Sequence, residues 1–292
     1  MAHPTRRRAL TVALATAAAG FVVPTATAVA APARPHGPRP LRHAHAHNDY
    51  LHPRPLHDAL AHGFTSVEAD IFLVDGDLLV AHEPATLDPT RTLASLYLDP
   101  LAALVRAGHG SVHPRHRAPL QLLVDIKADG VAAYRELDRQ LRRHHRMMTR
   151  ASDGRVHPGA VTAVISGDRA ARAPMEAQRT RYAFYDGRLD DLGTAAPASF
   201  APLVSANWTQ SFGWRGTGPF PRAERDRLRT LVATAHREGR RIRFWATPDL
   251  PGPEREAVWT ELLAAGVDHL NTDDLPGLER FLRDRRTVAP AP

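Results

Sequence analysis

From residue 41 onward the chain alternates between short apolar runs and stretches of helical periodicity, and this constrains its fold more than any other feature. The runs are Leu41–His47, Ser66–Leu73, Leu120–Ile126, Val161–Ser166, Tyr182–Tyr185, Leu203–Ala206, Arg241–Ala246 and His269–Asn271. Between them lie predicted helices at Leu56–His62, Leu93–Ala107, Val131–Arg146, Arg169–Gln178, Arg222–Glu238 and Pro253–Ala265. Buried parallel strands read as near-continuous apolar segments, and the crossover between two of them is usually a helix. Eight such strands predict one α/β domain, a (β/α)₈ TIM-type barrel over residues 41–284, and such a barrel needs roughly 250 residues. Between the fifth and sixth runs only the loop from Asp186 to Phe200 intervenes, so the barrel is predicted to lack one helix after strand 5. Glu238-Gly239 and Ala265-Gly266 read as helix C-termini. Asp75-Gly76-Asp77 reads as a hairpin turn that brings Leu78–Val80 back along the second strand.

A TIM barrel keeps its chemistry at the C-terminal ends of its strands. There the sequence places His47-Asn48-Asp49, then Glu68 and Asp70, then His82 after the hairpin, then Asp125 and Lys127. Residues two apart in a strand share a face, so Glu68 with Asp70, and Asp125 with Lys127, are predicted to point into one mouth. Carboxylates within apolar strands must be paired or bound to a cation. Glu68, Asp70 and Asp125 therefore suit one hard divalent cation, Mg²⁺ or Ca²⁺. The alternative is structural pairing, Asp125 with Lys127 and Glu68 with an arginine. Two histidines beside such a site supply the acid and the base that phosphodiester cleavage requires. His43 and His45 share the alternation of His47 and lie earlier in the strand. His113, His116, His144, His145 and His236 are predicted to be on the surface.

Composition narrows the chemistry. There is no cysteine, which excludes disulfides, thiol catalysis and thiolate metal ligands. Lys127 is the single lysine beside 37 arginines, which hints that a compact ammonium is required at that position. The net charge is +7, and three arginines in the first ten residues leave a modest excess on the remainder. No dense basic stripe interleaved with aromatics argues for nucleic acid.

At these same residues the chain resembles the phospholipase C-like phosphodiesterase superfamily, specifically the glycerophosphodiester phosphodiesterases. The matching features are His47, Glu68-Ala69-Asp70, the hairpin, His82, Asp125-Ile126-Lys127, Gly266-Val267-Asp268 and Thr272-Asp273. The stretch from His45-Ala46-His47-Asn48-Asp49-Tyr50 through Arg91-Thr92-Leu93 is similar to homologues of the altered inheritance of mitochondria protein six. The resemblance implies that His47 and His82 are catalytic, that Glu68, Asp70 and Asp125 bind metal, and that Lys127 contacts phosphate. It implies a small-molecule or lipid phosphodiester as substrate. The arginine that follows the first histidine in the glycerophosphodiesterases is Asn48 here. The short Asp-x-Lys is similar to the spider-venom-type sphingomyelinase D, which transfers phosphate to a substrate hydroxyl. Trp245, at the end of the seventh strand, reads equally as a pocket-lining aromatic, as the resemblance implies, or as barrel packing.

Two readings of other classes stand beside this one. His45-Ala46-His47 also resembles the His-x-His of zinc amidohydrolases, although the fifth and sixth strand ends offer no further histidine. The other is a non-catalytic binding module. The aromatic loop Trp208–Trp214 reads equally as a lid, a lipid contact or packing. Residues 1–30 have the basic start and mild apolar run of an export signal of twin-arginine type, residues 31–40 read as a Pro-rich linker, and residues 285–292 as a tail. A secreted or extracytoplasmic monomer with at most transient membrane-surface contact is expected.

Overall fold

The structure, a computed structural model, describes Met1, residues 38–114 and residues 116–288. The predicted export signal after Met1, most of the Pro-rich linker and the end of the tail lie outside them. Twelve strands and eight helices are described: β1 (Leu41–Ala46), α1 (His57–Ala61), β2 (Phe64–Val74), β3 (Asp77–Val80), α2 (Asp99–Ala107), β4 (Leu120–Ile126), α3 (Gly130–Arg143), β5 (Arg150–Ser152), β6 (Arg155–His157), β7 (Val161–Gly167), α4 (Arg172–Glu176), β8 (Thr180–Arg181), β9 (Ala183–Gly187), β10 (Leu203–Asn207), α5 (Trp208–Ser211), α6 (Arg222–Arg237), β11 (Arg241–Trp245), α7 (Pro253–Ala265), β12 (His269–Thr272) and α8 (Leu275–Val288).

Eight of the strands close on themselves in the order β1, β2, β4, β7, β9, β10, β11, β12, all parallel, with β12 returning to β1. This is the expected TIM-type barrel. Each of the eight predicted runs coincides with one barrel strand to within two residues at either end. Between β9 and β10 there is only a 3₁₀ turn at Leu189–Asp191, so the missing helix is where the loop predicted it. Helix α6 shows why the periodicity was readable: Leu228, Val232 and Ala235 fall on one face and are buried. Gly266 closes α7 at φ 87° and its N–H donates to Leu263 O, a left-handed cap that glycine adopts without strain.

The hairpin also forms as read. β3 pairs antiparallel with β2 across Asp75 (φ 49°) and Gly76 (φ 84°), the two left-handed residues of a two-residue turn. It delivers His82 to the mouth beside Asp70. Four elements, β5, β6, β8 and α8, have no counterpart in the sequence pattern. Strands β5, β6 and β8 form a small antiparallel sheet at the N-terminal ends of β7 and β9, away from the mouth, and α8 follows the last barrel strand.

One surface reading is corrected and one open reading is narrowed. His113 is buried, with Nε2 2.7 Å from Phe64 O. The aromatic loop is packed inward: Trp208 lies against Phe212 and Phe244 and donates its indole N–H to Trp214 O, while Trp214 stacks on Phe220. Burial of both indoles makes packing the sufficient explanation of that loop. Among the described residues no helix is long and apolar enough to cross a membrane.

Candidate active site

The first strand turns sharply as it leaves the barrel, and its side chains hold the turn. Asn48 sits in the left-handed region (φ 47°, ψ 36°), which asparagine tolerates better than most residues. Asp49 is fully buried and accepts from the Leu56 N–H at 2.6 Å and the Tyr97 hydroxyl at 2.9 Å. Leu56 is itself held at φ 64°, a strained conformation for a branched side chain, and its bond to Asp49 is part of what maintains it.

Burial pushes the Asp49 carboxyl up to about 6, against the two bonds that favour its ionised form. Between pH 3.8 and 6 the folded chain retains on Asp49 a proton that the unfolded chain has released. Its contribution to stability therefore declines as pH rises through that window and stays lost above it. Asp49→Asn keeps an acceptor for both donors and removes the charge. Its expected gain in unfolding free energy is about 1–2 kcal/mol at pH 7 and near zero at pH 4. Urea titrations at the two pH values measure this, and a gain of equal size at both would contradict it.

The turn sets His47 at the rim. Its Nδ1 lies 2.8 Å from Asp273 Oδ1, just past the end of β12, and 2.9 Å from Asn48 Nδ2. Burial opposes its charge, but the bond to Asp273 and the nearby Glu68 and Asp273 carboxylates raise its pKa overall. Across the mouth, His82 Nδ1 lies 2.9 Å from Asp70 Oδ2, and the His82 side chain is 52% exposed. Each imidazole is thus steered at Nδ1 by an aspartate. Nε2 of His47 has no protein partner among the described hydrogen bonds, and Nε2 of His82 is 3.7 Å from Glu83.

Asp70 is the hub. Its Oδ2 receives the Tyr50 hydroxyl at 2.7 Å, His82, and Lys127 Nζ at 2.6 Å; Nζ also lies 3.4 Å from Asp125 Oδ1. Asp70 Oδ1 is buried with no partner. Burial pushes Asp125 up to about 6, with the charges of Asp70 and Glu68 adding to the rise and Lys127 opposing it. Glu68 lies deeper and is held by Arg243 at 2.7 Å and by His45 Nε2 at 2.9 Å. Gln121 donates to Ser66 Oγ, which lies 2.7 Å from His45 Nδ1. Burial and then Arg243, whose Nη1 lies 2.5 Å from His45 Nε2, push His45 down to about 4. Burial opposes the charge of Glu68, but Arg243 keeps the carboxyl well below its usual range.

The structure therefore brings His82, Asp70, Asp125 and Lys127 into one network, with Tyr50 added to it. It places His47 on the same rim and turns Glu68 inward. Among the described residues no three His, Asp or Glu side chains converge as a ready set of metal ligands. Both pairings that the sequence left open as structural are present, Asp125 with Lys127 and Glu68 with an arginine. Trp245 ends β11 with 37% exposure and makes no described hydrogen bond to the cluster. His45 and His47 have different partners and do not form a metal-binding pair.

Sequence reasoning missed the roles of Tyr50, Asp273 and Arg243. Tyr50 and Asp273 lie inside stretches that carried the resemblance, which was the available signal. Arg243 lies in a strand read only as β11, and nothing local marks it.

With this geometry in view, the comparisons with known proteins are informative. Residues 39–186, half of the chain, match the model of the AIM6-like phosphodiesterase domain. The chain belongs to that family. Residues 241–276 match the glycerophosphoryl diester phosphodiesterase family. Among curated proteins the chain is 29% identical to the altered inheritance of mitochondria protein 6 homolog of Arthroderma benhamiae, over 79% of this chain and 81% of that one. It is 28% identical to altered inheritance of mitochondria protein 6 of Eremothecium gossypii, over 82% and 69%. To the Saccharomyces cerevisiae protein of that name it is 26% identical, over 79% and 68%. The two family matches bracket the two halves of the site: His47, Glu68, Asp70, His82, Asp125 and Lys127 fall in the first, and Arg243, Trp245 and Asp273 in the second. Both matching families are of the phosphodiesterase kind.

Proposed function

We propose that the protein is a metal-dependent phosphoric diester hydrolase acting on a glycerophosphodiester or a lyso-phospholipid. The observation that carries this reading is the pair of rim histidines, each fixed at Nδ1 by an aspartate, with the Lys127 ammonium on Asp70, the aspartate that also holds His82. His82 removes a proton from the attacking water as its oxygen bonds to phosphorus, and His47, whose proton affinity is raised, donates a proton to the leaving oxygen as its bond to phosphorus breaks. Lys127 stabilises charge on the phosphoryl oxygens. Asp273 and Asp70 keep the two rings in the productive tautomer and orientation.

Asp70 and Asp125 fit a hard divalent cation. One carboxylate oxygen of Asp70 is buried and unpartnered, and the mutual repulsion that raises Asp125 is relieved by added positive charge. Glu68 joins them by exchanging Arg243 for the ion. Mg²⁺ or Ca²⁺ bound there supplies Lewis-acid charge to the phosphoryl group. Trp245 is the proposed wall of the substrate pocket. The sequence of residues 1–30 supports action outside the cytoplasm.

Phosphorus NMR of the purified protein with glycerophosphodiesters and lyso-phospholipids tests this, with Mg²⁺ or Ca²⁺ and then with EDTA. The expected result is turnover that EDTA abolishes and the cation restores. A cyclic phosphate product assigns sphingomyelinase D-like transfer to a substrate hydroxyl instead of hydrolysis. No turnover with either cation favours a binding protein.

A further inference from the structure

The mouth of the barrel carries a second cationic centre that the phosphodiester chemistry leaves unused. It lies beyond the ends of β7 and β9, next to Asp125 in the strand order: Asp125 pairs in register with Ser166, and β7 pairs with β9. Arg188 leaves the end of β9 and lays its guanidinium back over the rim. Nη1 donates to Asp186 Oδ2 at 3.0 Å and to the carbonyls of Asp186 at 3.3 Å and Gly187 at 3.1 Å. Nη2 donates to Ser166 Oγ at 3.3 Å. A guanidinium has five N–H groups in a fixed fork. Nε–H and one Nη2–H therefore have no partner among the described hydrogen bonds, on a side chain that is 36% exposed.

A second guanidinium is close by. Arg169 follows β7, lies 4.1 Å over the Tyr185 ring and donates Nη2 to Asp186 O, and its Nη1 is buried without a partner. Among the described ion pairs, Arg188 meets one carboxylate, Asp186. Asp191 is already taken by Arg172 at 2.9 Å and by the Arg188 backbone N–H at 2.8 Å. Two strand spacings, about 10 Å, separate the β4 and β9 ends, a gap that an arginine side chain spans in part.

We infer that Arg188, backed by the charge of Arg169, is an oxyanion subsite for the substrate headgroup. The preferred substrate is then a phosphodiester whose headgroup carries a carboxylate or a second phosphate. A planar guanidinium with two free N–H groups suits either oxyanion and offers nothing to a trimethylammonium group. This inference rests on the phosphodiesterase reading and names its substrate class.

The test compares kcat/KM of the full protein for glycerophosphoserine, a glycerophosphoinositol monophosphate, glycerophosphoglycerol and glycerophosphocholine. The anionic headgroups are expected to be favoured at least about 10-fold, and Arg188→Gln is expected to lower that ratio by about 10-fold or more. Preference for the serine or for the inositol phosphate compound identifies carboxylate or phosphate as the ligand. Arg188→Lys keeps a cation against Asp186 and guards against misfolding; it is expected to lose part of the ratio. Equal kcat/KM across headgroups, or a ratio unchanged in both variants, overturns the proposal. If nothing is turned over, calorimetric titration with glycerophosphoserine and glycerophosphocholine decides the matter separately. Selective binding of the anionic compound, weakened in Arg188→Gln, upholds the subsite while the hydrolase reading fails. Equal binding of the two overturns the subsite.

Discussion

Replacing His47 with alanine is expected to lower kcat for phosphodiester cleavage about 10²–10⁴-fold, the usual cost of removing a positioned proton-transfer group. KM should change little, because the imidazole is steered by Asp273 and not by the substrate. Asp273→Asn should cost less than His47→Ala. It keeps a polar group against Nδ1 but withdraws the carboxylate that raises the proton affinity of His47. The role of His47 as acid predicts a second signature. With that carboxylate gone, the alkaline limb of the kcat profile should move to lower pH, since the proton donor then loses its proton earlier. An alkaline limb that stays in place in Asp273→Asn would remove His47 from the role of acid, whatever the loss in rate. His82→Ala should match the loss in His47→Ala without moving that limb.

Much of this site was legible because barrel strands are buried on both faces. Such strands read as apolar runs, so an interrupting carboxylate such as Glu68 or Asp125 stands out against its neighbours, and the two-residue spacing gives its face. The hairpin was legible for a different reason: Asp75-Gly76 supplies the two left-handed positions that the turn demands. Pairing between distant strands was not legible. That Glu68 meets Arg243 depends on a register built across the closed barrel, and no local spacing encodes it. Tyr50 was hidden in the same way, since its hydroxyl acquires a role only when β2 brings Asp70 within 2.7 Å. The small sheet of β5, β6 and β8 escaped because strands of two or three residues are too short to show a period.

Arg243 bears on both stability and function. It is buried and paired with a buried Glu68, and removing one partner of such a pair leaves an uncompensated charge. Arg243→Met is therefore expected to lower the unfolding free energy by about 3–5 kcal/mol at pH 7, read from urea unfolding. Adding Glu68→Gln should recover part of the loss, because the stranded charge goes with it. The sign of the pH dependence follows. In Arg243→Met the Glu68 carboxylate loses its main cationic partner, so its pKa rises in the folded state and the variant regains stability as pH falls. The parent has the opposite slope from this residue, since its folded-state Glu68 pKa is lowered. The same variant asks whether a divalent cation and the guanidinium compete for Glu68. If they do, Mg²⁺ or Ca²⁺ should stabilise Arg243→Met more than the parent, by an amount that grows with the logarithm of cation concentration. A cation that stabilises both equally would place the ion on Asp70 and Asp125 alone and leave Glu68 as a purely structural partner of Arg243. A variant as stable as the parent without any cation would show that the buried pair contributes no net stability to the barrel.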